Sequence, residues 1–462
     1  MNENTCKKEP ATAGDKLPVF HITGEKGWIN DPNGLVYFNG EYHVFYQYHP
    51  YDTKWGPMHW GHVSSADLTN WKRLPIALAP GGAGDKDGCF SGSAIVAFGK
   101  LYLIYTGFEE NGGGENVRQI QCLAESEDGI IFKKRGVVIG SEDLPAGFMP
   151  CDFRDPFVFG NNGAFYCLVA AKKKGGRGRL LCYRSLDLFK WTFLSDVLGF
   201  DSDGGMFECP CYIERAGMIV VSDQLPPPKE DGCLNVHSTR YFLGSFDAAY
   251  GKFSVTSQGI LDYGFDYYAP QCFACAKEDI VIGWLNMWDR NVPSAKYGFA
   301  GMLTVPRKIS VVGGAVFQTP VVKTQKVFEA ETLKTLTDKA VSGVIEISAY
   351  GLEEFDLRLR KGCGCETGIR LENGFWIFDR SSSGESIIGA EKDELSLAGI
   401  RKMPRALSEK TCITIVLDKY SVEFFEGGKA LSSTIYPPEG ADGVSLTVKA
   451  ENCTYTRYDI CK

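Results

Sequence analysis

Three carboxylic residues stand at the entrances of strand-like segments that are far apart in the sequence. Asp31 lies in GWINDPNG, Asp155 in FRDPF and Glu208 in MFECP, each seven or eight residues before a predicted hairpin turn. A proline fixes its own φ and favours an extended residue before it, so we expect Asp31 and Asp155 to be extended and fixed in direction. Cleavage of a glycosidic bond requires two carboxyl groups, one ionised and one protonated.

The residues next to these carboxyl groups suggest which one is ionised and which one is protonated. Arg154 precedes Asp155 and should help to hold that carboxylate ionised. Glu208 lies between Phe207 and Cys209, and an apolar setting would raise its pKa, which suits a general acid. Aromatic faces commonly cover the C–H surfaces of sugars. Tryptophans near these motifs in the sequence are Trp28, Trp55, Trp60 and Trp288.

The elements that must position these groups recur about every sixty residues. Five strand–turn–strand pairs have their turns near residues 39, 99, 162, 216 and 278. A second marker, Ser-x-Asp followed by Trp or Phe, begins at residues 65, 126, 185 and 245. Each unit is long enough for a four-stranded sheet, so we predict a five-bladed β-propeller over residues 15–313. An ordinary β-sandwich with coincidental spacing is the alternative.

A propeller would explain how distant residues meet. The innermost strand of each blade begins at a central funnel, so equivalent positions converge there. Asp31, Ser91, Asp155 and Glu208 occupy such positions in four units, and Asp266-Tyr267 leads into the fifth. We therefore expect these residues to line one pocket.

The sixty-residue period ends near residue 325. Later segments such as EISAYGLEEFDLRLRKG and SVEFFEGGKALSSTIYP alternate polar and apolar residues, with turns at short intervals. This pattern predicts an antiparallel β-sandwich over residues 326–462, joined by a linker at 314–325. The predicted fold class is all-β, and the second domain is expected to support the first.

Composition narrows the function class. The 462 residues carry a formal charge of -8 and contain no run of eighteen apolar residues, so neither a nucleic acid nor a membrane is expected as a partner. The start, MNENTCKKEPATAGDK, lacks the apolar stretch of a secretion signal, so we expect a cytoplasmic protein whose 16 cysteines are reduced. No CxxC pair has a second one at finger-like spacing, so no metal is expected. The oligomeric state is not indicated.

Together these motifs resemble glycoside hydrolase family 32, the group of invertases, fructanases and sucrose-6-phosphate hydrolases. GWINDPNG, FRDP and ECP are similar to the family's three acidic motifs, and WGPMHWGH, FSGSA, DYYAPQ, GWLNMW and LTVPRK follow the family's order. The resemblance runs from about His21 to the C-terminus. It implies a five-bladed propeller joined to a β-sandwich, a small sugar as substrate, and a retaining double displacement that needs no cofactor.

The resemblance also implies roles for individual residues. Asp31 would be the nucleophile at the anomeric carbon of fructose, Glu208 the acid/base, and Asp155 would hold fructose hydroxyls and stabilise the transition state. Positions that would line the fructose subsite are Asn30, Gln47, Trp55, Phe90, Ser91, Arg154, Tyr267 and Trp288. His49 is a departure, because many members carry asparagine there.

The substrate within the family is less well determined. A cytosolic enzyme would meet sucrose or sucrose-6-phosphate, and an exo-acting hydrolase of fructo-oligosaccharides and fructans is the alternative. The loop KKKGGRGR, residues 172–179, is either solvated surface or a site that attracts a phosphate group. An inverting arabinanase-like enzyme, a non-catalytic propeller and a fructosyltransferase are further alternatives.

Overall fold

The computed structural model describes residues 14–199, 205–225, 234–331, 334–390 and 392–461. Within these ranges the chain is almost entirely β-structure, and the α-helical part is one turn, α1 (Glu394–Leu397). Short 3-10 turns lie at Gly14–Lys16, Gly114–Asn116, Ser141–Asp143 and Pro293–Tyr297. Over the same ranges, no helix has the length and apolar character needed to cross a membrane.

The N-terminal part forms five sheets of consecutive, mainly antiparallel strands. The first contains β1 (Gly27–Phe38), β2 (Glu41–His49), β3 (His59–Ser65) and β4 (Lys72–Leu78), and the second contains β5 (Gly88–Ala97), β6 (Lys100–Glu109), β7 (Arg118–Ser126) and β8 (Lys133–Ile139). The third contains β9 (Phe148–Asn161), β10 (Ala164–Lys173), β11 (Gly178–Ser185) and β12 (Thr192–Gly199), and the fourth contains β13 (Phe207–Ile213), β14 (Met218–Asp223), β15 (Ser238–Asp247) and β16 (Lys252–Ile260). The fifth contains β17 (Tyr268–Cys272), β18 (Ile280–Trp284), β20 (Arg307–Val312) and β21 (Ala315–Pro320), while β19 (Phe299–Ala300) pairs in parallel with β1.

The innermost strands of these sheets form a closed ring. β1 contacts β5, β5 contacts β9, β9 contacts β13, β13 contacts β17, and β17 contacts β1. Apolar side chains fill the space between neighbouring sheets, as Phe157, Leu168, Ile219 and Val281 do between the third, fourth and fifth. Sheets arranged in this way around an axis make a β-propeller, so the predicted propeller is confirmed.

The second repeat marker forms the turn between the third and fourth strands of a sheet. In the first sheet Ser65 hydrogen-bonds to Asp67, whose carboxylate accepts the backbone N–H groups of residues 69 and 70. Asp128 and Asp187 accept the corresponding N–H groups in the second and third sheets. Short polar side chains stabilise such turns by binding backbone donors, which explains why the marker recurs.

Two six-stranded sheets follow and pack face to face. In sheet order, the first is β22 (Thr324–Glu331), β33 (Asn452–Ile460), β24 (Gly343–Tyr350), β29 (Lys410–Asp418), β30 (Ser421–Glu426) and β31 (Lys429–Thr434). The second is β23 (Thr335–Lys339), β32 (Gly443–Lys449), β25 (Glu354–Gly362), β26 (Cys365–Glu372), β27 (Phe375–Asp379) and β28 (Ile400–Pro404). Trp376 of one sheet packs on Phe424 of the other with ring centroids 5.3 Å apart, in a shared apolar core. The predicted β-sandwich is confirmed.

The segment predicted as a linker, residues 314–325, is mostly strand. Ala315–Pro320 pairs with β20 as the outer strand of the fifth sheet, and the sandwich begins at Thr324. The connection is therefore residues 321–323. The prediction ended the propeller too early because Gly313-Gly314 resembles a boundary in the sequence, whereas it is the hairpin turn between β20 and β21.

Buried ion pairs join the sandwich to the propeller. Arg307 of β20 lies 2.8 Å from Asp262 and 2.6 Å from Glu423 of β30. His21 lies between Asp418 at 2.8 Å and Glu423 at 3.0 Å. Burial opposes a charge on His21, but its hydrogen bonds to the two carboxylates prevail and raise its pKa to about 9. Buried charges of this kind are tolerated only when they are paired, so the network ties the two domains together.

Candidate active site

A cavity of about 500 Å³ lies where the innermost strands of the propeller begin. Apart from Asp266 and Tyr267, every residue that the sequence predicted for the site lines it: Asn30, Asp31, Gln47, Trp55, Phe90, Ser91, Arg154, Asp155, Glu208 and Trp288. Asp266 is instead buried beside the sandwich, 2.6 Å from Arg290 and 3.0 Å from Arg380. Lining residues that sequence reasoning missed are Gln119, Asp152, Gln224, His237 and Asp289. Most of the missed residues come from other strands and loops, where no periodic signal marks them.

Each innermost strand carries a β-bulge beside the cavity. The residues left unpaired are Asn30-Asp31, Ser91, Asp155-Pro156, Cys209-Pro210 and Ala269-Pro270. A bulge redirects the side chains on either side of it. When the strands are aligned on Pro32, Gly92, Pro156, Pro210 and Pro270, the residues two positions earlier are Asn30, Phe90, Arg154, Glu208 and Tyr268. In this alignment Glu208 stands one residue earlier in its strand than Asp31 and Asp155 do in theirs, a difference that hairpin spacing did not reveal.

The bulges also set an unusual backbone conformation. Asp155, Cys209 and Ala269 have φ values of +61°, +46° and +48°, in the left-handed region. The expectation that Pro156 would keep Asp155 extended is therefore wrong, because the bulge overrides the local preference. Non-glycine residues in this region store strain, and such residues are concentrated at functional sites.

Asp31 is buried, and its two carboxylate oxygens have different surroundings. Oδ2 accepts a hydrogen bond of 2.7 Å from the Ser91 hydroxyl and lies 3.5 Å from the Cys209 thiol. Oδ1 is shielded from solvent and has no hydrogen-bond partner within the described ranges. Buried polar atoms are normally paired, so an unpaired oxygen on a side chain that lines the cavity is a feature that a structural role alone does not explain.

Cys209 connects the two aspartates. Its backbone N–H donates to Asp155 Oδ2 at 3.0 Å, and its thiol lies 3.7 Å from that oxygen. The same thiol contacts Asp31, so one short side chain fixes the relative position of two carboxyl groups from different sheets.

Burial raises the pKa of both aspartic acids. The pKa of Asp31 rises to about 6 through burial and the charge of Glu208, against the hydrogen bond from Ser91. The pKa of Asp155 rises to about 7 through burial and Glu208, against the nearby Arg154. Arg154 favours the ionised form of Asp155, as predicted, but burial outweighs the effect of a guanidinium whose Nε is 3.9 Å away.

Glu208 is held by donors from three neighbouring segments. Its Oε1 accepts hydrogen bonds from Arg154 at 2.9 Å and from Gln224 at 3.0 Å, and its Oε2 accepts one from the Tyr268 hydroxyl at 2.7 Å. The predicted apolar setting is therefore wrong. Apolar residues next to Glu208 in the sequence point to other sides of the strand, and polar groups surround the carboxyl group itself.

Tyr268 is the tyrosine that contacts the site, and the prediction of Tyr267 is wrong. Successive strand residues point to opposite sides, and the Tyr267 ring packs on the guanidinium of Arg307, 4.5 Å from its centroid. The register could have been found by aligning Pro270 with Pro210, which places Tyr268 level with Glu208. Hairpin spacing alone did not give that register.

Aromatic rings form two parts of the cavity wall. Trp288 packs against Trp28 and Trp284, with ring centroids 6.2 and 4.9 Å apart. Trp55 is 48% exposed and meets Phe90 edge-on at 5.8 Å. Such rings can cover the C–H surface of a sugar, while the amides and carboxylates between them bind hydroxyl groups.

The basic loop at residues 172–179 is not part of this wall. Arg177 is ion-paired with Asp223, and Arg179 lies 3.0 Å from Asp196. Lys173 packs over the ring of Phe148, 5.7 Å from its centroid. Much of the positive charge of the loop is therefore already matched by acidic neighbours of the propeller.

The site contains three carboxyl groups. Asp31 is buried and has an unpaired oxygen, Glu208 is held by three donors, and Asp155 is buried on the strand that lies between theirs in the ring. This set suits a displacement at a sugar carbon with proton transfer to the leaving oxygen. In the part of the chain that the structure describes, no group of three or more His, Cys, Asp and Glu residues could hold a metal ion.

Two family models together match residues 21–461. Residues 21–320 match Glycosyl hydrolases family 32 N-terminal domain, and residues 316–461 match Glycosyl hydrolases family 32 C terminal. The chain is 36% identical to a sucrose-6-phosphate hydrolase of Zymomonas mobilis subsp. mobilis, over 94% of this chain and 91% of that protein.

Solved structures agree with these matches. A GH32 β-fructofuranosidase of Bombyx mori is 31% identical, with a TM-score of 0.83 over 99% of this chain and 96% of that one, and a variant of it was solved with sucrose. A sucrose-6-phosphate hydrolase of Lactobacillus gasseri is 25% identical, with a TM-score of 0.86 over 96% and 92% of the two chains. Because both domains match over nearly the whole length, the chain belongs to glycoside hydrolase family 32.

Proposed function

We propose that the protein is a retaining β-fructofuranosidase that hydrolyses the terminal fructosyl bond of sucrose or sucrose-6-phosphate. The observation that carries the proposal is the unpaired Oδ1 of buried Asp31 on a cavity wall shared with Glu208. Relatives named as sucrose-6-phosphate hydrolases and the sucrose complex of a structural neighbour support the substrate class.

The reaction proceeds in two steps. Asp31 Oδ1 attacks C2 of the fructosyl unit, the bond from C2 to the glycosidic oxygen breaks, and Glu208 gives its proton to that oxygen. Water then attacks C2, its proton passes to Glu208, and the ester to Asp31 is released. Asp155 binds fructose hydroxyls and stabilises the positive charge that develops on the ring.

The polar and aromatic residues around the three carboxyl groups form the fructose subsite. They are Asn30, Gln47, Trp55, Phe90, Ser91, Arg154 and Trp288. Tyr268 acts in place of Tyr267, through its hydrogen bond to the acid/base residue. The leaving group lies toward Gln224 and His237, beyond Glu208.

We also propose that each of the five sheets is one blade, that the catalytic domain ends at Pro320, and that the sandwich domain begins at Thr324. The pairing of β21 with β20 and of β22 with β33 supports these limits. A reducing, cytoplasmic location agrees with the free thiols of Cys89, Cys167 and Cys182 in the propeller core.

The choice between the two sugars depends on charge. The wall carries Asp31, Asp152, Asp155, Glu208 and Asp289, against one arginine. A phosphate dianion would be repelled by this wall, so it must lie at the mouth when the phosphorylated sugar binds. An exo-acting hydrolase of short fructo-oligosaccharides or fructans remains the second candidate, because the cavity is open at that mouth.

The test is fructose release from sucrose, sucrose-6-phosphate and inulin, with the first-formed anomer followed by NMR. Release of the β-anomer of fructofuranose from one of the two small sugars is expected. Release of the α-anomer first would overturn the retaining mechanism, and a clear preference for inulin would replace sucrose by fructans. Release from none of the three would overturn the function.

A further inference from the structure

Trp55 reaches the cavity from the loop that connects β2 and β3, residues 50–58. Its side chain is about half exposed, and its ring meets the ring of Phe90 edge-on. A ring with so little packing of its own depends on the loop backbone for its position. The loop therefore needs an anchor if Trp55 is to meet a sugar in one orientation.

The loop is held at both ends by buried histidines. His49, the last residue of β2, hydrogen-bonds through Nδ1 to the carbonyl oxygen of Lys54 at 2.9 Å. His59, the first residue of β3, makes the equivalent bond from its Nδ1 to the carbonyl oxygen of Pro57 at 3.0 Å. Since a carbonyl oxygen only accepts, each Nδ1 carries the proton, and Trp55 lies between the two fixed carbonyl groups.

Packing reinforces these two bonds. Tyr51 meets the His49 ring at 6.0 Å and the His59 ring at 5.7 Å, edge-on to both. Gly56 lies flat against the His49 ring, where a Cβ atom would overlap three ring atoms. The residue after Trp55 is therefore small enough to lie against the imidazole, and the loop backbone packs directly on His49.

We propose that His49 is a positioning residue for Trp55: its ring fixes the loop at Lys54 and Gly56 and so orients the indole toward the sugar in the cavity. The inference rests on the proposed function for its kinetic test. It also gives a meaning to the departure at this position, since an imidazole replaces the asparagine that the family pattern would suggest.

The kinetic test is a double-mutant cycle on sucrose or sucrose-6-phosphate with His49→Ala, Trp55→Ala and the double variant. We expect His49→Ala to raise KM about fivefold or more with kcat changed by less than about twofold, since only substrate positioning is lost. The double variant should match Trp55→Ala, because His49 acts through the indole. His49→Asn keeps an N–H donor near Nδ1 and should restore KM in large part.

Two controls separate positioning from general stability. His43→Ala removes another buried histidine from the same strand, one that hydrogen-bonds His62, and should leave KM unchanged. Gly56→Ala should raise KM as His49→Ala does, and this increase should shrink in the His49→Ala background, where the overlapping ring is absent. If His49→Ala fails to fold, the KM of Gly56→Ala tests the same contact between the loop and the His49 ring.

A readout without activity keeps the inference distinct from the proposed function. Iodide quenching of tryptophan fluorescence, compared with that of Trp55→Phe, reports the exposure of Trp55. His49→Ala should change this component and His43→Ala should not. An unchanged KM together with unchanged quenching would overturn the inference, as would additive effects in the cycle. If the wild-type protein cleaves neither sugar, the proposed function fails while the quenching result still decides the role of His49.

Discussion

The Ser91 hydroxyl donates a 2.7 Å hydrogen bond to Oδ2 of Asp31, whereas Oδ1 of the same carboxylate has no partner among the described residues. This asymmetry orients the carboxylate and leaves one oxygen for the proposed attack on the sugar. The bond also favours the ionised form of Asp31, against the burial that raises its pKa to about 6. Two residues from adjacent sheets thus set both the direction and the charge of the proposed nucleophile.

Ser91→Ala should therefore raise the pKa of Asp31 further and move the acid limb of kcat/KM to higher pH. A hydrogen bond to a charged group contributes about 1.5–3 kcal/mol, so kcat/KM on the acid side should fall by about tenfold or more. The measurement is a pH profile of kcat/KM from acid to neutral pH. Ser91→Thr keeps the hydroxyl and is the control. An acid limb that stays in place would show that Ser91 does not tune Asp31.

The proposed roles of Asp31 and Glu208 separate when the leaving group is varied. Asp31→Ala and Glu208→Ala should each lower kcat for sucrose by about a thousandfold or more, with unchanged circular dichroism. A p-nitrophenyl fructoside needs little protonation, so Glu208→Ala should lose far less on that substrate. Asp31→Ala should lose the same fraction of kcat on both substrates. Equal losses of Glu208→Ala on the two substrates would contradict its role as the acid.

Much of this architecture is predictable because local chemistry repeats with the fold. The Ser-x-Asp marker is a hydrogen-bonded turn, and Asp31 and Asp155 lie in the first strands of their hairpins, which are the innermost strands of their sheets. The site follows from that symmetry, since equivalent strand entrances must meet at one axis. The propeller and the cavity positions of Asp31, Ser91, Asp155 and Glu208 were accessible from the sequence for that reason, whereas the other predicted lining residues came from the resemblance to glycoside hydrolase family 32.

What the sequence did not reveal depends on contacts between sheets. The bonds of Glu208 to Arg154 and Tyr268 cross from one sheet to the next, and no spacing within a hairpin encodes them. The left-handed conformation of Asp155 follows from a bulge whose register depends on its partner strand. Burial of Asp31 and Asp155 likewise arises only when five sheets close, so the rise in the pKa of these two groups was not predictable from local sequence.

The two adjacent tyrosines give a direct test of that register. Tyr268→Phe removes the donor to Glu208 Oε2 and should lower kcat by about tenfold, since a bond to a charged group is lost. Tyr267→Phe should leave kcat and KM unchanged, because its hydroxyl is buried without a partner in the described structure. Steady-state kinetics on sucrose compare the two variants. Loss of kcat in Tyr267→Phe alone would reverse the assignment.

The basic loop is expected to have little influence on substrate choice. Lys172 and Lys174 carry charges that lie off the cavity wall, and the neighbouring arginines are paired with acidic residues. Replacing both lysines by glutamine should leave the ratio of kcat/KM for sucrose-6-phosphate over sucrose within about twofold, as for screened surface charges. A tenfold fall in that ratio, with sucrose hydrolysis intact, would identify the loop as a phosphate site.

His21 should make the stability of the protein depend on alkaline pH. Its pKa in the folded protein is about 9, because the bonds to Asp418 and Glu423 outweigh burial, against 6.5 for an ordinary histidine. A raised pKa stabilises the folded state fully below about pH 6.5, and that stabilisation, about 3 kcal/mol, is lost as the pH rises through about 9. The melting temperature of the wild-type protein should therefore fall over this range.

His21→Gln should melt at a lower temperature at pH 6.5 and show a smaller fall toward pH 9.5, since it has no proton to lose there. His43→Gln is the matched control, because burial lowers the pKa of His43 and its titration lies below this window. Calorimetric melting temperatures of the three proteins at intervals between pH 6 and pH 9.5 decide the matter. If His21→Gln keeps the full alkaline decline, the charged contact between propeller and sandwich is not its cause, and another group must titrate at the interface.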